Sequence, residues 1–277
     1  MDFGDIKIFP VSDGSFKVDG GGLFGVVPRP LWEGLNPPDE KNRVLLGLNP
    51  LLIQTGKKNI LVDTGIGDKA TDKFNSIYAV DKKHTLSESL SGLGLTPREI
   101  DIVINTHLHF DHAGGNTIKD GGSFKPAFPR ARYIVQRGEW EAATEPNERT
   151  RASYRAEDFV PLKDAGQVDL IEGDGEIAEG VSVVRAPGHN RDTQLVSIRS
   201  GGRTAVFLGD LIPTTAHLRL PFIAAFDLYP LETLKAKKEI IEEAALNRWL
   251  LIFEHDPEAK MGYVRLKEGK VEFERVM

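Results

Sequence analysis

Apolar residues recur along this chain at two spacings, and each spacing marks a different kind of element. Short runs that alternate, or that are apolar throughout, read as strands. Asp5 to Ser12 is the first, with Ile6, Ile8 and Pro10 alternating with other residues. Leu45 to Gln54 and Asn59 to Val62 follow, separated by a turn at Gly56-Lys57-Lys58. Ile102-Val103-Ile104 reads as a strand buried on both faces, and Arg132 to Gln136 as another. Beyond Val168 strands dominate: Val168 to Ile171, Val181 to Arg185, Gln194 to Ser200 and Arg203 to Leu208, the last two joined over Gly201-Gly202. Trp249 to Phe253 is a further buried strand, and Gly262 to Leu266 with Lys270 to Val276 form a hairpin over Glu268-Gly269.

The helical period appears in fewer places. Leu231 to Asn247 is the clearest amphipathic segment, with Leu234, Ile240, Ile241, Ala244 and Ala245 on one side. Asp68 to Tyr78, Thr85 to Leu93 and Arg137 to Thr144 are shorter helices, and Thr96-Pro97-Arg98-Glu99 is a helix-start signal. Two stretches lack a period. Gly14 to Asn42 is rich in Gly and Pro and holds Phe24 and Trp32, so residues 14–42 are expected to form a functional loop or lid, the alternative being a surface loop anchored by two aromatics. Glu145 to Lys163 is polar and irregular, a second peripheral excursion. The order of elements predicts two sheets packed face to face with helices outside, in one domain spanning residues 1–277.

Composition narrows the chemistry. With 277 residues, 40% of them apolar, the chain can bury a large core unaided. A net charge of -6 and the lack of a basic run argue against nucleic acid or an anionic membrane as partner. There is no cysteine, so disulfides and thiolate ligands are excluded, and a metal would have to be held by His, Asp, Glu or backbone oxygen. The first residues show neither a basic n-region nor an apolar h-region, and no apolar run approaches a membrane span, so a cytoplasmic location is expected.

Within Thr106-His107-Leu108-His109-Phe110-Asp111-His112 lie three of the chain's seven histidines. His107 and His109, two apart, can reach one ion, and Asp111 and His112 in the following turn can reach a second. A chance histidine-rich turn is the competing explanation, and the scarcity of histidine elsewhere weighs against it. Further ligands should come from later strand ends. His189 follows Val183 to Gly188, Asp210 follows Val206 to Gly209, and His255 follows Leu250 to Glu254. His189 would complete the first site, His255 the second, and Asp210 would bridge the two through its two oxygens.

This set, His107-x-His109-x-Asp111-His112 with His189, Asp210 and His255, resembles the signature of the metallo-β-lactamase superfamily, and Leu61-Val62-Asp63-Thr64-Gly65 is similar to that family's early Asp-Thr-Gly strand end. The resemblance implies an α+β fold, the αββα four-layer sandwich, with two divalent ions at one edge of the sheets: most commonly Zn2+, with Fe, Mn or Co as alternatives. Two such ions lower the pKa of a bridging water so that hydroxide is available near neutral pH. Asp111 is then placed to orient the nucleophile and to carry a proton to the leaving group. Asp63 is expected to hydrogen-bond a ligand histidine, or alternatively to cap the turn at Gly65.

The chain departs from the family in reading Pro187-Gly188-His189-Asn190-Arg191-Asp192-Thr193, with Thr193 where many members carry a second histidine. Among branches, the lactonase and organophosphate-hydrolase-like groups are most similar, through Gly20 to Gly25, Pro28 to Trp32 and Gly209 to His217. The small homoserine lactonases usually place a tyrosine three residues after the bridging aspartate, where this chain has Pro213; Tyr229 is the candidate to take its place. The expected activity is hydrolysis of lactones or related esters, with phosphotriester hydrolysis or a non-hydrolytic di-iron role as alternatives. The expected partner is a small-molecule ester or lactone, and a homodimer is left open. Phe24, Trp32, His217, Phe222 and Tyr229 are the candidates for the substrate pocket, with ordinary core packing as their alternative role.

Overall fold

The computed structural model describes every residue from Met1 to Met277. Its framework is two seven-stranded sheets, each with its strands in chain order. The first runs Asp2–Phe3, Ile6–Pro10, Leu51–Gln54, Asn59–Val62, Ile102–Ile104, Arg132–Gln136 and Val168–Ile171. The second runs Gly175–Ala178, Val181–Arg185, Gln194–Ser200, Arg203–Phe207, Leu250–Ile252, Met261–Lys267 and Lys270–Arg275.

Side-chain alternation assigns the faces. Ile60, Val62 and Ile104 of the first sheet meet Val196, Ala205, Phe207, Leu250 and Ile252 of the second in a core between the sheets. Their neighbours point the other way. Leu61, Val103, Tyr133 and Val135 pack beneath Leu86, Leu90, Trp140 and Leu162 from the helical segments Leu86–Gly92, Arg137–Thr144 and Val160–Asp164. Val206 and Leu251 pack beneath Ile241 and Ala244 of the helix Pro230–Asn247. Helix, sheet, sheet and helix give the αββα sandwich of the α+β class.

The strands Asn59–Val62, Ile102–Ile104, Arg132–Gln136 and Val168–Ile171 are mutually parallel, as are Arg203–Phe207 and Leu250–Ile252. Parallel neighbours require crossovers, and helical segments occupy them. The C-terminal ends of these strands therefore line up, and Asp63, His107, Asp210 and His255 emerge together at one edge.

Several expectations need correction. The run Leu45 to Gln54 is two strands, Arg43–Gly47 and Leu51–Gln54, broken at Leu48-Asn49-Pro50 where the Asn49 side chain donates to the Asp256 carbonyl at 2.9 Å. Residues 14–42 are not a loop without structure. Ser15–Asp19 pairs with Arg43–Gly47, and Gly20–Phe24 and Arg29–Trp32 are short helices. The glycines hide this order from a pattern search: the Trp32 ring lies where a Cβ on Gly20 would sit, so this glycine serves close packing. The helix expected from Asp68 begins at Asp72, after a Thr71 cap. The strand Gly175–Ala178 and the hairpin Thr117–Asp120 with Ser123–Pro126 carry no clear apolar pattern, being polar and largely exposed.

Phe207 is fully buried between the sheets. Phe207→Ala should lower unfolding free energy by about 3–5 kcal/mol through lost burial and the cavity left behind. Urea denaturation measures this; a loss below about 1 kcal/mol would show that this core re-collapses.

Candidate metal centre

Five histidines and two aspartates converge at the sheet edge. His107 and His109 flank Leu108, whose N–H donates to Glu139 Oε1 at 2.9 Å, which fixes the turn between them. His109 precedes the one-turn helix Phe110–Ala113, which carries Asp111 and His112. His189 follows Gly188, whose φ of +153° and close approach to Thr233 leave no room for a side chain. Asp210 and His255 follow the strands Arg203–Phe207 and Leu250–Ile252.

These groups fall into overlapping sets whose potential ligand atoms lie within 4.8 Å of one another: His107, His109 and His189; His107, His112 and Asp210; and Asp111, His112 and His255. Asp210 spans them. Its Oδ1 lies 3.2 Å from His112 Nε2 and 3.0 Å from His255 Nε2, and its Oδ2 lies 3.3 Å from His189 Nε2. His107 Nε2 is 3.9 Å from Oδ2.

The outer ring nitrogens are held from behind. His255 Nδ1 donates to the Gly47 carbonyl at 2.9 Å, an acceptor that obliges Nδ1 to carry the hydrogen. His112 Nδ1 meets Asp63 Oδ2 and His189 Nδ1 meets Asp227 Oδ1, each at 2.9 Å. Asp63 also accepts from the Thr106 N–H at 2.8 Å and hydroxyl at 2.7 Å, and it holds the left-handed φ of 56° that lets it do so. Each such contact leaves Nε2 facing inward without its hydrogen when the ring is neutral.

The arrangement fits divalent cations. Bare imidazole lone pairs about 3 Å from carboxylate oxygens repel unless positive charge lies between them. His107 Nε2 and Asp210 Oδ1 are buried with no hydrogen-bond partner. The electrostatics carry the same demand. Burial, together with neighbouring histidines, holds His107 and His109 well below the ordinary imidazole range. Burial also opposes charge on His112 and His189. For His112 it is outweighed by Asp210, Asp111 and Asp63, and for His189 by Asp210 and Asp227, so both are pushed up. Burial opposes charge on Asp210 as well, but His112, His189 and His255 outweigh it and hold the carboxyl well below its usual range. The donor set, nitrogen and carboxylate oxygen without sulfur, suits zinc and other first-row divalent ions.

A cavity of about 350 Å³ opens onto this cluster. His109, Asp111, His189 and Asp210 form its floor, and Phe16, Val18, Tyr78, Phe110, Phe226 and Leu228 form much of its wall. Arg149, Thr150 and Ser153, from the excursion after Glu145, complete the rim. None of the five residues expected in the substrate pocket lines it. Phe24 and Trp32 are buried and stack on each other at 4.8 Å, His217 stacks on Phe24 at 5.0 Å, and Phe222 meets Phe24 edge-on. His217 is also tied to the Thr214 hydroxyl and the Leu23 carbonyl, and burial lowers its pKa to about 4. Tyr229 pairs with Arg191 outside the cavity. His84, the remaining histidine, is exposed and away from the site.

Apart from Asp63, sequence reasoning missed the residues behind the ligands. Glu139 is fully buried, accepts from Leu108, Tyr154 and Asn190, and burial raises its pKa to about 7. Glu254, next to His255, is fully buried with both oxygens unpartnered, and burial, then Asp63, push its carboxyl well above the usual carboxylate range. Asp227 sits in Ala224-Ala225-Phe226-Asp227-Leu228, where a lone acid amid apolar residues was the only available signal.

The metallo-beta-lactamase superfamily model matches residues 45–255. The chain belongs to the metallo-beta-lactamase superfamily. It is 30% identical over 220 residues to N-acyl homoserine lactonase AiiA of Bacillus thuringiensis subsp. kurstaki, covering 75% of this chain and 80% of that one. It is similar over its full length to the crystal structure of a probable metal-dependent hydrolase from Staphylococcus aureus, with TM-score 0.92, 32% identity and 99% of that chain covered. AidC, a dizinc quorum-quenching lactonase, shares the fold with TM-score 0.83 at 19% identity, covering 100% of this chain and 96% of its own. No helix of the chain is long and apolar enough to cross a membrane.

Removing the group behind His189 frees its ring. Asp227→Ala should weaken divalent-metal retention by roughly 10- to 100-fold, read by competition with a chromogenic chelator. Unchanged affinity would show that Gly188 and Thr233 alone orient the ring.

Proposed function

We propose that this superfamily member is a dinuclear metal-dependent hydrolase acting on lactones or related esters. The observation that carries the reading is the Asp210 carboxylate set between two groups of inward-facing imidazoles beneath a largely apolar cavity. His107, His109 and His189 would hold one ion, Asp111, His112 and His255 the other, and Asp210 would contact both. Bound there, the ions would supply hydroxide from a shared water near neutral pH and polarise the scissile carbonyl.

The protein's own groups do the remaining work. Asp63, Asp227 and the Gly47 carbonyl keep three imidazoles in the tautomer that turns Nε2 inward. Phe16, Val18, Phe110, Phe226 and Leu228 exclude water and accept an apolar acyl or alkyl group. Asp111 borders the cavity and has 14% of its side chain exposed, so it can meet substrate, orient the nucleophile and return a proton to the departing alkoxide. The relatives named N-acyl homoserine lactonase support a lactone substrate, and the apolar wall supports one with a hydrocarbon substituent. Zinc is the native ion we favour, because five imidazoles dominate the donor set and AidC, which shares the fold, is a dizinc lactonase.

Metal-loaded protein should hydrolyse members of a panel of lactones, aryl esters and phosphotriesters, with the lactones turned over best. Bound iron with no turnover of any of them would sink the reading in favour of a non-hydrolytic member. Asp210→Asn should reduce bound metal from two equivalents toward one or none by elemental analysis, and retention of both would refute the bridging role. Asp111→Asn should lower kcat by about 100-fold or more, measured on the best lactone at saturating metal.

A further inference from the structure

The cavity wall facing the cluster carries a phenol whose hydroxyl has no partner in the rest of the molecule. Of the five tyrosines, Tyr133, Tyr154 and Tyr229 each engage a protein partner through the hydroxyl. Tyr78 and Tyr263 do not, and of these two Tyr78 lines the cavity, together with Asp111. Its ring is nevertheless held in place. It packs on Phe74 at 4.5 Å and on Phe110 at 5.1 Å, and Phe74 meets Phe110 edge-on at 5.0 Å. The Arg155 guanidinium lies over both phenylalanines, 5.2 and 5.7 Å from their centroids. The backbone beneath is fixed as well: Arg43 donates to the Ser76 and Ile77 carbonyls at 3.1 and 2.8 Å, capping the end of the helix Asp72–Tyr78.

A phenol that lines the cavity, packs on the residue before Asp111 and leaves its hydroxyl unpartnered is a preorganised donor. We propose that Tyr78 is a catalytic residue whose hydroxyl donates a hydrogen bond to a substrate oxygen bound beside Asp111. It forms no covalent bond and gives up no proton; it stabilises negative charge that grows on that oxygen as the ester bond breaks. The assignment rests on the hydrolase reading above. It also refines the substrate class: the preferred ester presents an oxygen acceptor on the side of the scissile bond that faces the Phe74, Tyr78 and Phe110 rings, and keeps its hydrocarbon part toward Phe226 and Leu228.

Tyr78→Phe preserves the three-ring packing, so fold and metal content should be unchanged by thermal melting and elemental analysis. With γ-decalactone and para-nitrophenyl butyrate as substrates, kcat should fall about 10- to 100-fold while KM stays within about twofold. A kcat within twofold of wild type would overturn the assignment, as would a rise in KM at constant kcat, which marks an apolar wall residue. Should the ring alone prove to matter, Tyr78→Leu would lose activity while Tyr78→Phe kept it, and that pattern also refutes the donor. Wild-type protein that carries two metal equivalents but turns over neither substrate refutes the hydrolase reading itself, and the Tyr78 assignment falls with it. Wild-type turnover with an unimpaired Tyr78→Phe refutes only the role of Tyr78.

Discussion

The organising constraint of this molecule is the carboxylate of Asp210, buried among imidazoles whose outward nitrogens are already committed. Its two oxygens sit 3.0 to 3.3 Å from ring nitrogens of His255, His112 and His189. That packing of acceptors is unfavourable unless protons or cations fill the gaps, and the opposing shifts of Asp210 and His112 express the same need. A site so built exchanges protons for a divalent ion on loading. Asp63, Asp227, Glu139 and the Gly47 carbonyl belong to the same construction, because each fixes a ligand ring or the turn that carries one.

The scaffold serves that constraint through direction. Parallel strands joined by helical crossovers end at the same edge, so residues far apart in sequence arrive side by side. The inter-sheet core holds the two edges in register, with Phe207 and Ile252 packed against Val62 and Ile104 immediately behind the strand ends that present Asp210, His255, Asp63 and His107.

Much of this was legible in the chain because it rests on local pattern. Apolar alternation located most strands of the two sheets to within a few residues, and the His-x-His-x-Asp-His run with three strand-end residues identified the groups that converge. What was not legible depends on distance in space. Phe24 and Trp32 look like pocket aromatics in sequence, yet they stack on each other, while Phe16, Phe110 and Phe226 face the cavity; counting aromatics cannot separate core from wall. Glu139 reads as a solvated residue of a short helix, and only its burial against Leu108, Tyr154 and Asn190 reveals its task. The glycine run at Gly20 reads as flexibility, but tight packing on Trp32 explains it.

The two sheets contribute unequally to the cluster, and that division has a mechanical meaning. His107, His109, Asp111 and His112 hang from the first sheet, whereas His189, Asp210 and His255 hang from the second. Ions gripped by both would act as a clasp across the open edge of the sandwich, in a chain with no disulfide to do so. The same edge carries the cavity, so the clasp and the cavity floor are one place. Losing metal would then loosen the two layers at this edge, and the centre would serve as a fastening of the fold as well as a place for chemistry.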